Sequence, residues 1–296
     1  MPTWLVPSPE NPAERELAVG RPFHRHAGFR HVAEPNLILR ATVGSTAHGL
    51  HLAGTDDRDE MGVCIEPPEY VIGLERFEQW IYRTAEDRAR HDPSAHQRQH
   101  GRTPRSRSGD LDLVVYSLRK YARLAAAGNP TVLLLLYAEP LYAADAGQEL
   151  RLRADLFASR EAGHRFLGYL RAQKERLLGR RGQMRVTRTK LIERHSYDTK
   201  FAMHALRLGY QGVEFLSTGR LTLPMQGSAR DACMEVRLGQ WPLAGVIGEI
   251  ENVEHQLESL LHSSPLPEKA DYAAIDRFLV EAYQRHWRDH RDRLPS

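Results

Sequence analysis

Residues 43–66 read VGSTAHGLHLAGTDDRDEMGVCIE, and the rest of the chain takes its meaning from them. An apolar run, Leu37-Ile38-Leu39 through Val43, leads into this stretch and predicts a strand. Gly44-Ser45 follows at once. A second predicted strand carries Asp57 and Asp59 and continues through Met61, Val63 and Ile65. Side chains two apart on a strand point the same way, so the two aspartates project side by side. Carboxylates at that spacing repel each other unless a cation sits between them. Hard divalent ions such as Mg²⁺ take oxygen ligands and share their shell with phosphates. Gly44 permits close backbone approach, and Ser45 supplies a hydroxyl and an N–H. The pattern points to a phosphate held beside a carboxylate-bound metal.

The 296 residues suffice for two modest domains. Lys and Arg number 41 against 38 Asp and Glu, a formal net charge of +3 that alone implies no nucleic-acid partner. The two cysteines, Cys64 and Cys233, make neither a metal-ligand spacing nor a disulfide framework. Cys64 falls inside an apolar strand, as a small core residue does. No signal pattern opens the chain and no apolar run reaches membrane-spanning length. The expectation is a cytoplasmic protein without a membrane partner.

Residues 1–31 hold several prolines and His24, His26 and His31. They read as a lead-in with little regular structure, and no cysteine or carboxylate completes a zinc set there. A short helix and a strand are expected over 68–82. Residues 86–109, EDRARHDPSAHQRQHGRTPRSRSG, have almost no apolar side chain and cannot offset the entropy of ordering them. They read as a flexible basic loop between two strands. It is either a solvated insertion or an arm that orders on a phosphate backbone. Residues 111–116, LDLVVY, read as the next strand, with Asp112, Val114 and Tyr116 on one face. An acid opening an apolar strand needs a partner or a metal; a salt-bridged strand acid is the plain alternative.

Residues 117–127, SLRKYARLAAA, predict a helix with Ser117 as N-cap, stopped by Gly128-Asn129-Pro130. TVLLLLYA, residues 131–138, opens a strongly apolar helix that belongs to the core. Residues 145–183 read as helical and rich in arginine, and GRRGQMRVTRTK, residues 179–190, is a second basic stretch. From Asp198 the segment DTKFAMHALRL predicts a helix. Lys200 and His204 are four apart and His204 and Arg207 three apart, so they share a face. Three potential cations on one face repel unless they meet an anion, and a triphosphate fits. The plain alternative is a polar face salt-bridged to acids elsewhere. Residues 209–225 read as a turn and short strands. A helix from Pro242 to about residue 262 and a last one at about 271–290 are expected to pack on the helical half.

Gly44-Ser45, an eleven-residue gap, Asp57-x-Asp59 and then Gly62 resemble the active-site signature of the DNA polymerase β-like nucleotidyltransferase superfamily. The words GSTAHGL, DEMGV and SLRKYARLAAAGNPTVLLLLYA resemble more narrowly the RlaP-type predicted nucleotidyltransferases of bacteria and phages. So does the pattern Asp-x-Lys-x-x-x-His-x-x-Arg-Leu, met by Asp198, Lys200, His204 and Arg207. This chain has Asp56 where that family usually has serine.

Elements and resemblance together predict an α+β fold. A small mixed β-sheet forms a catalytic core over residues 1–140, with the basic loop at about 86–109, and a mostly helical domain covers 141–296. The resemblance implies transfer of a nucleoside monophosphate from an NTP to an acceptor hydroxyl, releasing pyrophosphate. The acceptor it favours is a nucleic acid, RNA or tRNA. The cofactor it implies is Mg²⁺ or Mn²⁺, two ions bound by Asp57 and Asp59, with Asp112 completing the catalytic one. Asp110, nearer the loop and on the same face, is the runner-up for that third acid. Gly44 and Ser45 would hold the β and γ phosphates, and Lys200, His204 and Arg207 would neutralise the leaving pyrophosphate. Two other classes compete. One is a protein-modifying, AMPylating-type enzyme of a toxin–antitoxin or defence system; the other is a nucleic-acid-binding relative without turnover.

Overall fold

The computed structural model describes residues 29–52, 57–91, 106–179 and 189–289. Five strands are β1 (Leu37–Thr42), β2 (Arg58–Cys64), β3 (Gln79–Arg83), β4 (Leu111–Ser117) and β5 (Pro140–Ala143). The first six helices are α1 (Arg30–Ala33), α2 (Gly44–Ala47), α3 (Thr84–His91), α4 (Leu118–Ala126), α5 (Pro130–Tyr137) and α6 (Asp145–Leu152). The others are α7 (Arg160–Leu177), α8 (Thr189–His195), α9 (Thr199–Thr218), α10 (Gly227–Arg237), α11 (Leu243–Ser263) and α12 (Tyr272–Asp289). The fold is α+β: a mixed sheet and a helical C-terminal half. None of the described helices is long and apolar enough to cross a membrane.

The chain divides into two units. One takes in the chain up to Arg123, residues 138–152 and residues from Ala273 onward; the other takes in 124–137 and 153–272. The sheet unit is ordered β3-β4-β2-β1-β5. β2 and β4 run parallel, and the remaining neighbours are antiparallel. β2 is the central strand and is buried on both faces from Glu60 onward, so its alternation dissolves into an unbroken buried run. Phe29, Val32, Phe77, Trp80 and Val115 share a core cluster in this unit. Phe29 meets Phe77 and Tyr70 edge-on at 5.5 and 6.0 Å.

Two ends of the chain's order meet on this sheet. In α12, the Tyr283 hydroxyl donates to Glu66 Oε2 at 2.7 Å and accepts from the Arg119 N–H at 3.1 Å. Trp287 Nε1 donates to the Glu66 carbonyl at 2.9 Å. Glu66 is fully buried, and burial raises its carboxyl above the usual carboxylate range, against the Tyr283 hydroxyl and the Arg119 charge. The last helix was expected on the helical half; it packs instead on the sheet unit, because Tyr283 and Trp287 supply hydrogen bonds that a buried Glu66 requires.

The helical unit is built around α9. Phe166 of α7 lies 5.7 Å from Phe215 of α9. A Cβ on Gly209 would run into Val253 and Leu170, and one on Gly212 into Leu257 and Phe166. These glycines let α7 and α11 approach α9 closely. The sequence reading of 209–225 is a turn with short strands. The structure corrects this: α9 runs unbroken to Thr218 and stops at Gly219, whose φ is 73°. No strand follows among the described residues, and α10 was not anticipated. On α7, Arg171 pairs with Glu254 at 2.7 Å and with Glu258, and Lys174 with Glu254 and Glu251 at 3.1 and 3.2 Å.

Two smaller corrections concern loops. Residues 29–33 form a helical turn rather than irregular lead-in, while His24 and His26 lie outside the described residues. The start of the expected basic loop is the helix α3, which follows β3 directly. Residues 92–105 of that loop, and 180–188 of the second basic stretch, also lie outside them.

Candidate active site

Strand pairing brings the acids together. Asp57 immediately precedes β2, Asp59 is its second residue, and Asp112 is the second residue of β4. The parallel register sets Asp59 opposite Asp112. One carboxylate oxygen from each of Asp57, Asp59 and Asp112 lies within 4.8 Å of the other two, and each side chain is partly exposed. Gly44, at φ +66°, lies against this cluster: a Cβ there would overlap the Asp59 carboxylate. The Val43 N–H donates to the Asp59 carbonyl at 2.9 Å, which holds β1 against β2 just where α2 begins. Gly44 and Ser45 open α2, and the Ser45 carbonyl accepts the Leu50 N–H at 2.9 Å. His48, in the turn that follows, is buried.

The electrostatics of the cluster show at Asp112. Burial raises its carboxyl above the usual carboxylate range, the charges of Asp57 and Glu86 add to this, and Ser106 and Arg83 oppose it. A donor set of three carboxylates, without nitrogen or sulfur, suits a hard divalent ion of the Mg²⁺ or Mn²⁺ class. With one oxygen of each carboxylate within 4.8 Å of the other two, the three acids could hold such an ion together.

Asp110, the other candidate for third acid, is not in the cluster. It is buried, and its carboxylate accepts from Arg88 Nη1 and Nη2 at 3.1 and 2.6 Å and from the Arg107 N–H at 2.7 Å. The Arg88 hydrogen bonds hold its carboxyl below the usual range. Lys200, His204 and Arg207 lie along α9 in the helical unit, whereas the three aspartates belong to the sheet unit. Asp198 caps α9, accepting from the Lys200 and Phe201 N–H groups at 3.0 and 3.1 Å. Arg207 Nη1 donates to Gln211 Oε1 at 2.8 Å. Burial pushes its guanidinium down to about 10, so it stays charged at neutral pH.

Two neighbours of Asp112 escaped the sequence reading. Ser106 Oγ stands 3.1 Å from both Asp112 oxygens. Arg83, paired in register with Asp112 across β3 and β4, has its Nε 4.0 Å from Oδ2 and donates through Nη1 to Glu86 at 3.2 Å. Neither belongs to a motif; only the pairing of the edge strand β3 and the turn before β4 bring them there.

Among curated proteins none matches the chain. One solved structure, a nucleotidyltransferase-like protein from Exiguobacterium sibiricum, aligns over 86% of this chain and 76% of that one. Its identity is 12% and its TM-score 0.28, a likeness too low to carry an argument. A family model described as RlaP, RNA repair pathway DNA polymerase beta family, matches residues 18–281. The match spans most of the sequence, and the chain belongs to that family of polymerase β-type nucleotidyltransferases.

Proposed function

We propose that the protein transfers a nucleoside monophosphate from an NTP to a hydroxyl of a nucleic-acid acceptor, with RNA, tRNA included, the favoured class. The acceptor oxygen forms a bond to the α phosphorus, the bond from that phosphorus to the β-phosphate oxygen breaks, and pyrophosphate leaves. The observation that carries the reading is the convergence of Asp57, Asp59 and Asp112 beside Gly44. Divalent ions bound by these carboxylates would polarise the phosphoryl oxygens and offset charge on the attacking and leaving ones. Asp112, which would complete the ion nearer the acceptor, is suited to take the acceptor's proton at a carboxylate oxygen. Gly44 and Ser45 are suited to the β and γ phosphates. Lys200, His204 and Arg207 are assigned to the leaving pyrophosphate, where fixed positive charge stabilises the charge that develops. The family's description as an RNA repair pathway group supports an RNA acceptor.

A protein acceptor is the second reading. It is favoured by Ile72 and Leu74, which stand 77% and 105% exposed in the segment between the Pro68–Tyr70 turn and β3. The test is to incubate the pure protein with each labelled NTP and Mg²⁺ or Mn²⁺, with RNA, DNA or a host-protein mixture. Label is expected on RNA, with pyrophosphate released, and lost in Asp57→Asn and Asp59→Asn. Label on protein alone would establish the second reading. Full turnover in either asparagine variant would remove the carboxylate assignment.

A further inference from the structure

We propose that Ser106 is a positioning residue for the third carboxylate, braced by the Asp110–Arg88 pair; this rests on the nucleotidyl-transfer reading above. Ser106 Oγ lies 3.1 Å from Asp112 Oδ1 and 3.1 Å from Oδ2. A hydroxyl carries one hydrogen, so it donates to one oxygen at a time and leaves the other available to a cation. Asp112 also has a rival partner. Arg83 Nε is 4.0 Å from Oδ2, on a guanidinium that already holds Glu86. An arginine fork captures a carboxylate bidentately when nothing holds it away. Ser106 is the group that holds it away and keeps it turned toward Asp57 and Asp59.

What fixes Ser106 is the turn behind it. The buried Asp110 takes the Arg107 N–H at 2.7 Å and both Arg88 nitrogens of α3, and its own carbonyl accepts the Arg58 N–H of β2 at 2.8 Å. The residue next to Ser106 is thereby tied to a helix and to the strand that carries Asp59. Asp110 is a brace for the site rather than a ligand in it. Outer hydrogen bonds of this kind set the orientation of carboxylate ligands, and losing one costs roughly 10–100-fold in metal affinity or activity.

The experiment titrates the full-length chain with Mn²⁺, reading free Mn²⁺ by its paramagnetic resonance, and measures transfer kinetics alongside. Ser106→Ala is expected to weaken Mn²⁺ binding roughly tenfold or more, and to lower kcat while KM for the NTP holds. Ser106→Thr keeps the hydroxyl and is expected to restore both. Adding Arg83→Gln to Ser106→Ala removes the rival and is expected to recover part of the affinity. Ser106 sits in a surface turn, so these variants fold, and melting temperatures check it. Unchanged Mn²⁺ affinity in Ser106→Ala, or a Thr variant as weak as Ala, overturns the proposal while transfer by the native chain leaves the nucleotidyl reading standing. Mn²⁺ binding that needs Asp57, without transfer from any NTP, sinks that reading and leaves Ser106 to the affinity data. A native chain that binds no Mn²⁺ and transfers nothing overturns both.

Discussion

The turn before β4 and the strand itself each present an aspartate, two residues apart, and the two acids are satisfied in opposite ways. Asp110, at the end of the turn, is buried and enclosed by the Arg88 fork and the Arg107 N–H. Asp112, inside the strand, faces two further acids within 4.8 Å, and the Arg83 guanidinium is 4.0 Å away and shared with Glu86. The first arrangement is complete without a ligand. The second gains from an added cation, because carboxylates that close repel each other until one arrives. A hydrogen-bonded, charge-matched acid belongs to the scaffold; a like-charged cluster at the edge of a strand pair belongs to chemistry.

Asparagine at each position breaks the comparison most sharply. Asp112→Asn keeps the shape and removes a ligand charge, so turnover is expected to fall further than the roughly 10–100-fold that losing an outer hydrogen bond costs, with the melting temperature held or slightly raised. Asp110→Asn strips the charge that Arg88 faces. It is expected to lower the melting temperature by a few degrees, with a smaller loss of turnover. Thermal melts and single-turnover transfer on the same preparations check both. A reversed pattern, with Asp112→Asn unstable and active, would exchange the two roles.

This contrast also marks what the sequence makes legible. Asp57 and Asp59 are two apart in one strand, and local alternation pairs them on the page. Asp112 is more than fifty residues away, and only the parallel register of β2 on β4 brings it opposite Asp59. The sequence reading therefore ranked Asp112 over Asp110 without being able to separate them by periodicity, since both lie on one face. The separation needs Arg88, and nothing in a composition-poor stretch of arginines says which one will pair. Gly44 was read as a phosphate contact; its packing against the Asp59 carboxylate is a second reason for glycine there. Helix α9 shows the opposite failure. Its start at Asp198 follows from a capping residue, but Gly209 and Gly212 look like breakers until the helices that press on them are known. Tyr283 and Glu66 are too far apart in sequence for any local pattern to link them.

The comparison extends to cations on α9. Lys200, His204 and Arg207 either serve the fold, as Arg88 does, or wait for an anion, as the aspartates wait for a cation. For the second role, Lys200→Ala and Arg207→Ala are expected to weaken NTP binding about ten- to a hundredfold, since a charge-assisted contact contributes roughly 1.5–3 kcal/mol. NMP binding should hardly change, because an NMP lacks the β and γ phosphates. Arg207 is bonded to Gln211 and partly buried, so its variant should also melt earlier. Calorimetric titration with both nucleotides decides the case; equal losses for NTP and NMP would return these residues to the scaffold.

Glu66 shows a third way to bury an acid, and the effect expected from it is the smallest. Among the described residues neither an arginine fork nor a carboxylate cluster surrounds it; its Oε2 accepts from the Tyr283 hydroxyl, and Ser117 and the Arg119 charge also favour its charged form. Burial raises its carboxyl above the usual carboxylate range. The folded protein then binds this proton more tightly than the unfolded chain does. Stability from Glu66 is fully present below about pH 4.5, the unfolded value, and is lost as the pH rises through the raised folded value. Replacing Glu66 with glutamine removes the titration. The difference in melting temperature, variant minus native, should therefore move in the variant's favour as the pH is raised from 4.5. In a chain of this size each ~1 kcal/mol appears as roughly 2–4 °C. Melts of both proteins across that range, with Tyr283→Phe as a control that should raise the carboxyl further by removing its donor, measure the slope. A difference that stays flat with pH would show that Glu66 is ionised in the folded protein, like Asp110, and that the Arg119 charge compensates it instead.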